Sequence, residues 1–339
     1  MNLWSKACSP GKIILSGEHA IVYQAPALIL TVNQHTRTSL RINTHKKITF
    51  HSHSFKHDTE YTFSALHSLC DAIEKRFQDY KANSGDISSV LHSPFDLVPL
   101  ALFHFFQENN MALSGLEIAI ESDISPGCGM GASAACLISL YTALNALFDT
   151  HYSPRKIIAL ATHTEHYQHG TSSGIDCYAV QKGGGHFINA SHFKENPPLQ
   201  FPLALIHTGT PESSTGECVN AVSHFKTDSN LWKSFSTVTH AMQNAWLHGN
   251  QTQFHDAIDQ NHQLLCHIGV VPPSIQRFIS ALNKRGSHAK ICGAGSVRGD
   301  NGGIVLATLS PHLEELCHQY HYTLEKIHPT MEGTTSVSG

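Results

Sequence analysis

The sequence predicts a two-domain protein of mixed strands and helices. An alternating apolar stretch, Leu116, Ile118 and Ile120 against Glu117, Ala119 and Glu121, runs through a glycine-rich loop into the apolar stretch Cys136 to Phe148, giving strand, loop, helix. Strand-like and helix-like segments are interleaved along the rest of the chain. At 339 residues the chain exceeds one average domain, and a polar connector with two prolines, Ser191 to Pro198, interrupts it beyond the midpoint. The boundary is placed there, giving domains of residues 1–195 and 196–339.

In order, residues 3–40 read as strand, turn, strand, with apolar runs Ile13 to Leu15 and Ala27 to Val32 punctuated by Ser9-Pro-Gly11 and Gly17-Glu-His19. Residues 39–55 continue as polar, β-branched strand. Phe63 to Phe77 and Pro94 to Phe106 carry three or four apolar positions per two turns, the pattern of amphipathic helices covering one face of a sheet. After the glycine loop a helix opens at about Ala132. Ser153 then caps a further helix with Pro154 at its first position, and Gly170 stops it. Gly183-Gly-Gly185 breaks the chain before a strand at His186 to Ala190. Beyond the connector come a strand at Leu203 to Ile206 and helices at Glu217 to Phe225, Trp232 to Leu247, Phe254 to Ile268 and Pro273 to Asn283. Strands at Ala289 to Cys292, Ile304 to Ala307 and Tyr322 to Ile327 follow, with a helix at His312 to Gln319. Gly333 to Gly339, small and polar but for Val337, reads as a frayed tail.

The loop Ser125-Pro-Gly-Cys-Gly-Met-Gly-Ala-Ser-Ala-Ala135 is open to two readings. It is a tight turn and no more, or it is a phosphate cradle, in which Gly127, Gly129 and Gly131 lack the Cβ atoms that would hold an anion off the backbone and the next helix adds its N–H groups and positive dipole end. Gly127-x-Gly129-x-x-Ala132 also satisfies the dinucleotide fingerprint. That motif needs a second strand ending in an acidic residue, whereas Ser153-Pro154 starts another helix soon after Asp149. A Walker A loop is absent, because Gly11-Lys12 lacks the upstream glycine and the following Ser or Thr.

A net charge of −4 without a Lys/Arg run argues against nucleic-acid and anionic-membrane partners and for small-molecule chemistry. The nine cysteines are odd in number, scattered and without Cys-x-x-Cys, which predicts reduced thiols. No apolar run reaches 18 residues and Met1 to Lys12 has no signal-peptide core, so a cytoplasmic protein is expected. Of 27 histidines, His163, His166 and His169 cluster beside Glu165, but no His-Glu-x-x-His accompanies them and they read as surface or satisfied residues.

Three charged residues have two readings each. Lys12, before the first apolar run, is either solvated or a charge-neutralising group held near carboxylates and phosphates. Glu165, near a helix C-terminus, is either a solvated charge or, because it opposes the dipole there, a group accounted for by a nearby cation. Asp176 ends the polar loop His169-Gly-Thr-Ser-Ser-Gly-Ile-Asp176 and is either an N-cap or a group facing the cradle.

Together these segments resemble the GHMP kinases, the family of galactokinase, homoserine kinase, mevalonate kinase and phosphomevalonate kinase. Ser9-Pro-Gly-Lys-Ile-Ile-Leu-Ser-Gly-Glu-His-Ala-Ile-Val-Tyr23 is similar to the first family motif, Pro126 to Ala135 to the second, and Lys290-Ile-Cys-Gly-Ala-Gly295 to the start of the third. Ser172-Ser-Gly-Ile-Asp176 resembles the family's Pro-Ser-Gly-Ile-Asp, and Thr208-Gly-Thr-Pro-Glu-Ser-Ser-Thr215 its substrate-side loop. Two departures stand out: Ala132-Ser133 replaces the usual Ser-Ser, and Ser296-Val-Arg-Gly-Asp-Asn301 replaces a run of glycines.

The resemblance implies an α+β fold of two domains, an N-terminal ATP-binding domain and a ferredoxin-like C-terminal domain, with ATP between them. It implies that Asp176 and Lys12 are catalytic and that Pro126, Gly127, Gly129, Met130, Gly131, Ala132 and Ser133 bind ATP. Ser133 and Glu165 would hold Mg²⁺, and Glu18, His19 and Thr208 would contact the acceptor. The Gly-Glu-His of the first motif, in place of Gly-Glu-Tyr, points to mevalonate, phosphorylated at its 5-hydroxyl. Phosphomevalonate or another small molecule is the alternative acceptor. A homodimer is common in the family. A non-catalytic nucleotide-binding relative would be expected to lose Asp176 or Lys12, and both are present.

Overall fold

Backbone pairing gathers the strands into two sheets, one from each half of the chain except for a single returning strand. The computed structural model describes residues 4–338 other than 53, 55, 56, 84, 190 and 191. The first half runs β1 (Ser5–Ser16), β2 (Ala27–Ile42), β3 (Lys47–Ser52), β4 (His57–Thr62), α1 (Phe63–Asn83), α2 (Leu97–Glu108), β5 (Leu116–Ser122), α3 (Ala132–Phe148), α4 (Pro154–His169), α5 (Ile175–Lys182), β6 (Gly185–Asn189) and β7 (His192–Asn196). The second runs β8 (Leu203–His207), α6 (Thr215–Val222), α7 (Ser229–Leu247), α8 (Gln251–His267), α9 (Pro273–Asn283), β9 (Ala289–Cys292), β10 (Ile304–Thr308), α10 (Leu313–Gln319), β11 (Thr323–Ile327) and β12 (Thr335–Ser338).

The first sheet has the order β12-β1-β2-β5-β3-β4, with β6 joined to the N-terminal half of β2 and β7 to β6. Among the described residues only β3 and β5 pair in parallel. The long β2 serves two neighbours besides β1: Ala27 to Leu30 pair with β6 and Thr36 to Ile42 with β5. Leu116, Ile118 and Ile120 of β5 turn inward as their alternation predicts, and α3 lies against β1 and β2. The second sheet has the order β11-β8-β10-β9, antiparallel throughout, which is the ferredoxin-like arrangement of a βαββαβ chain. Phe278, Ile279, Leu282 and Phe235 fill the core beside it.

Four local expectations change. The second predicted helix is not amphipathic: every residue from Leu97 to Phe106 is buried, because α1, α3 and α4 surround α2, and a helix apolar all round belongs inside. By contrast α1 buries one stripe, Leu66, Cys70, Ile73 and Phe77. The polar connector after β6 is partly strand, since β7 pairs with β6 as a hairpin whose residues 190 and 191 lie outside the described ones. The tail is not frayed either: β12 pairs with the outer edge of β1, Ser5 to Cys8 against Thr335 to Ser338, and so covers N–H and C=O groups that would otherwise stand open. Asp176 is not an N-cap, because Gly174 holds that position of α5 and Asp176 lies in the first turn.

All nine cysteines are free thiols. Among the described residues no helix is long and apolar enough to cross a membrane.

Candidate active site

The glycine loop runs from β5 into α3 with Gly127, Gly129 and Gly131 all at positive φ, which L side chains disfavour. What each missing Cβ makes room for differs. At Gly127 a Cβ would meet nothing within 4 Å, so this residue opens onto free space. At Gly129 it would stand 2.7 Å from the Cys292 carbonyl oxygen and 3.2 Å from Gly293 Cα, so the loop lies backbone to backbone on the second glycine loop after β9. At Gly131 it would strike the Lys12 side chain at 2.9 Å. Only the first of the three therefore clears a path for a ligand; the other two let protein segments meet.

Gly131 is also the N-cap of α3, and no side chain caps it. The first N–H groups of that helix are thus left for a ligand, at the positive end of the dipole. Met130 turns its side chain into the core and uses its carbonyl oxygen to accept the Lys12 N–H at 3.0 Å, while Pro126 stays exposed beside Gly127.

Lys12 is carried to the loop by β1, whose register with β2 shifts at Pro10/Gly11 and again at Ile14/Ser16. Such irregularities re-aim side chains. Its stem passes the space left by Gly131, and its Nζ pairs with Asp176 Oδ2 at 2.8 Å. The lysine side chain is 3% exposed and that of Asp176 35%, so the carboxylate faces outward and the ammonium supports it from beneath.

Ser133 Oγ, in the first turn of α3, donates to Glu165 Oε1 at 2.9 Å. Glu165 Oε2 accepts from Ser172 Oγ at 2.8 Å and from the Cys177 thiol at 3.4 Å. These three donors account for a buried glutamate near a helix C-terminus, and none is the expected cation. Burial, and after it the bonded Glu165 carboxylate, push the Cys177 thiol well up, so it stays a neutral donor.

Glu18, His19 and Thr208 are buried and engaged inside the protein. Glu18 Oε1 pairs with Lys290, while burial pushes its carboxyl up against the pull of that lysine. His19 Nε2 bonds the Ala294 carbonyl at 3.0 Å, and burial lowers its pKa, favouring a neutral ring that donates there. Thr208 Oγ1 donates to Gly303 O at 2.9 Å and accepts from Gly302 N at 3.1 Å, closing the second glycine loop. In that loop Arg298 is 59% exposed, pairs with Glu217 at 2.6 Å and donates to the Glu212 carbonyl at 3.1 Å. It anchors the start of α6 and does not reach the Lys12–Asp176 opening.

Sequence reasoning missed Ser172 and Cys177 as partners of Glu165, and Lys290 as partner of Glu18. The first two gave no signal beyond proximity to Asp176. Lys290 did: a lysine inside the apolar strand Ala-Lys-Ile-Cys needs a buried counter-charge.

Residues 97–184 match the family model described as the GHMP kinases N terminal domain. The mevalonate kinase of Archaeoglobus fulgidus is 30% identical over 291 residues, 85% of this chain and 88% of that one. Among solved structures, the Methanococcus jannaschii mevalonate kinase superposes with TM-score 0.77 at 20% identity, over 96% of this chain and 98% of that one. The L. major mevalonate kinase in complex with R-mevalonate gives TM-score 0.71 at 20% identity, over 96% of each chain.

Proposed function

The chain belongs to the mevalonate kinase family, and we propose that it transfers the γ-phosphoryl group of ATP to the 5-hydroxyl of mevalonate. The observation that carries this reading is the Lys12–Asp176 pair at the open end of an uncapped glycine loop. The 5-hydroxyl oxygen attacks the γ-phosphorus, the bond to the β,γ-bridging oxygen breaks, and ADP leaves. Asp176, its carboxylate turned outward, takes or orients the hydroxyl proton. Lys12 stabilises charge that develops on the transferring group, and its burial removes the water that would screen it. Pro126, Gly127, Gly129, Met130, Gly131, Ala132 and Ser133 form the phosphate loop, with the Gly127 opening as the point of closest approach.

The Ser133–Glu165 contact is a hydroxyl beside a carboxylate, both hard oxygen donors at a helix N-terminus, and among the described residues no cluster of three or more His, Cys, Asp or Glu offers a cage. That donor set fits Mg²⁺, which takes one or two protein oxygens and otherwise phosphates and water. Ser133 and Glu165 would hold it, and it would supply neutralisation of phosphate charge. Glu18, His19 and Thr208 form the wall of the acceptor site, Glu18 through Lys290 of β9 and the other two by fixing the second glycine loop.

Asp176→Asn tests the reading. It should lower kcat on mevalonate by about 10²–10⁴-fold while the nucleotide Kd stays within about twofold, and a variant with near-normal turnover would remove Asp176 from the chemistry.

A further inference from the structure

Lys290 lies in β9 with no exposure, among the largest fully buried side chains of the protein. A buried ammonium is tolerated only when paired and hydrogen-bonded. Its Nζ pairs with Glu18 Oε1 and donates to the Ile14 carbonyl at 3.1 Å, and the Cys292 thiol reaches the same carbonyl at 3.6 Å. Glu18 Oε2 is buried too, and among the described residues no hydrogen-bond partner meets it. Lys12 lies two residues before Ile14 on β1, so Lys12 and the Lys290–Glu18 pair meet the same strand and the turn that follows it. The four charged groups, Asp176, Lys12, Glu18 and Lys290, alternate in sign as two ion pairs.

Among these groups Glu18 is the one carboxylate with a spare, unsolvated oxygen, and Lys12 is the cation that catalysis needs on Asp176. We propose that Lys290 is a positioning residue: by neutralising Glu18 it keeps that carboxylate from drawing Lys12 away from Asp176. The proposal rests on the phosphoryl-transfer reading above. The competing account is a plain staple, in which Lys290 only ties the turn after β1 to β9. The two differ in one respect. A charge-neutralising lysine becomes dispensable once Glu18 is neutral, and a staple does not.

The experiment is a double-mutant cycle on the full chain: wild type, Glu18→Gln, Lys290→Met and the double variant. Steady-state ADP release is measured with ATP and mevalonate, and kcat is expressed per folded molecule from circular dichroism at the assay temperature. The proposal predicts that Lys290→Met lowers kcat at least about tenfold more in the wild-type background than in the Glu18→Gln background, with the KM for ATP moving less than about twofold. Equal costs in the two backgrounds overturn it, as does a loss in the KM for ATP with kcat retained. Should Lys290→Met not accumulate in folded form, the double variant against Glu18→Gln decides: kcat within about threefold supports the proposal, and a larger loss or failure of the double variant to fold makes Lys290 a staple. Wild-type turnover in the same assay reports on the acceptor separately, since absence of mevalonate phosphorylation there would sink the activity and not the coupling, which would then be measured with whichever acceptor is used.

Discussion

Substituting alanine at Gly127 and at Gly129 should separate ligand space from protein packing within one loop. Both residues have positive φ, 72° and 87°, so either alanine incurs about 1–2 kcal/mol of backbone strain. Gly127→Ala adds nothing to that, since its Cβ meets no atom within 4 Å. Gly129→Ala places a methyl 2.7 Å from the Cys292 carbonyl oxygen, a backbone atom that cannot rotate aside, which adds about 1–3 kcal/mol of overpacking. With about 2–4 °C of Tm per kcal/mol, Gly129→Ala should unfold several degrees below Gly127→Ala. The order reverses for the nucleotide: the Gly127 methyl enters the space assigned to phosphate and should raise the KM for ATP about tenfold, or about 1.4 kcal/mol. Thermal unfolding and ATP titrations of the two variants supply both numbers. Equal Tm values, or an unchanged KM for ATP in Gly127→Ala, would refute the division of the loop into an open and a packed half.

Ser133→Ala removes a donor from Glu165 and a hydroxyl from the proposed metal site, so the Mg²⁺ concentration giving half-maximal activity should rise about tenfold. An unchanged Mg²⁺ requirement would take Ser133 out of that site. Arg298→Ala breaks an exposed ion pair worth about 0.2–1 kcal/mol, and both Michaelis constants should stay within about twofold, because the guanidinium is spent on Glu217 and the Glu212 carbonyl. A rise confined to the acceptor KM would mean that the anchored loop shapes the acceptor site.

Signals that are local in sequence were legible. Ser153, Pro154 and Gly170 mark α4 because caps act within one turn, and the capping bond from Lys156 N to Ser153 Oγ is present. β7 and β12 were not legible. Residues His192 to Glu195 are exposed, and Thr335 to Ser338 are small and polar but for Val337, so neither run carries an apolar period, and both are held by backbone bonds to a neighbouring edge. The extent of burial of α2 was misread although Leu97 to Phe106 hold only one polar side chain, His104. In the site, Lys12 and Asp176 lie far apart in sequence and were joined through family resemblance alone; the residues by themselves left Lys12 with a solvated reading and Asp176 with an N-cap reading. The roles of Gly129 and Gly131 depended on what lies across the cleft, Cys292 in one case and Lys12 in the other, which spacing within the loop does not encode.

The acceptor is tested most directly by a panel of mevalonate, 5-phosphomevalonate, homoserine and galactose, with ADP release as the readout. Mevalonate needs one donor or cation for its carboxylate and the Lys12–Asp176 pair for its hydroxyl. Phosphomevalonate adds a dianion, yet Lys12 is committed to Asp176, Lys290 to Glu18 and Arg298 to Glu217. The account predicts a kcat/KM for mevalonate at least about tenfold above every other member, equivalent to about 1.4 kcal/mol of differential transition-state binding. A clear preference for phosphomevalonate, homoserine or galactose would contradict it.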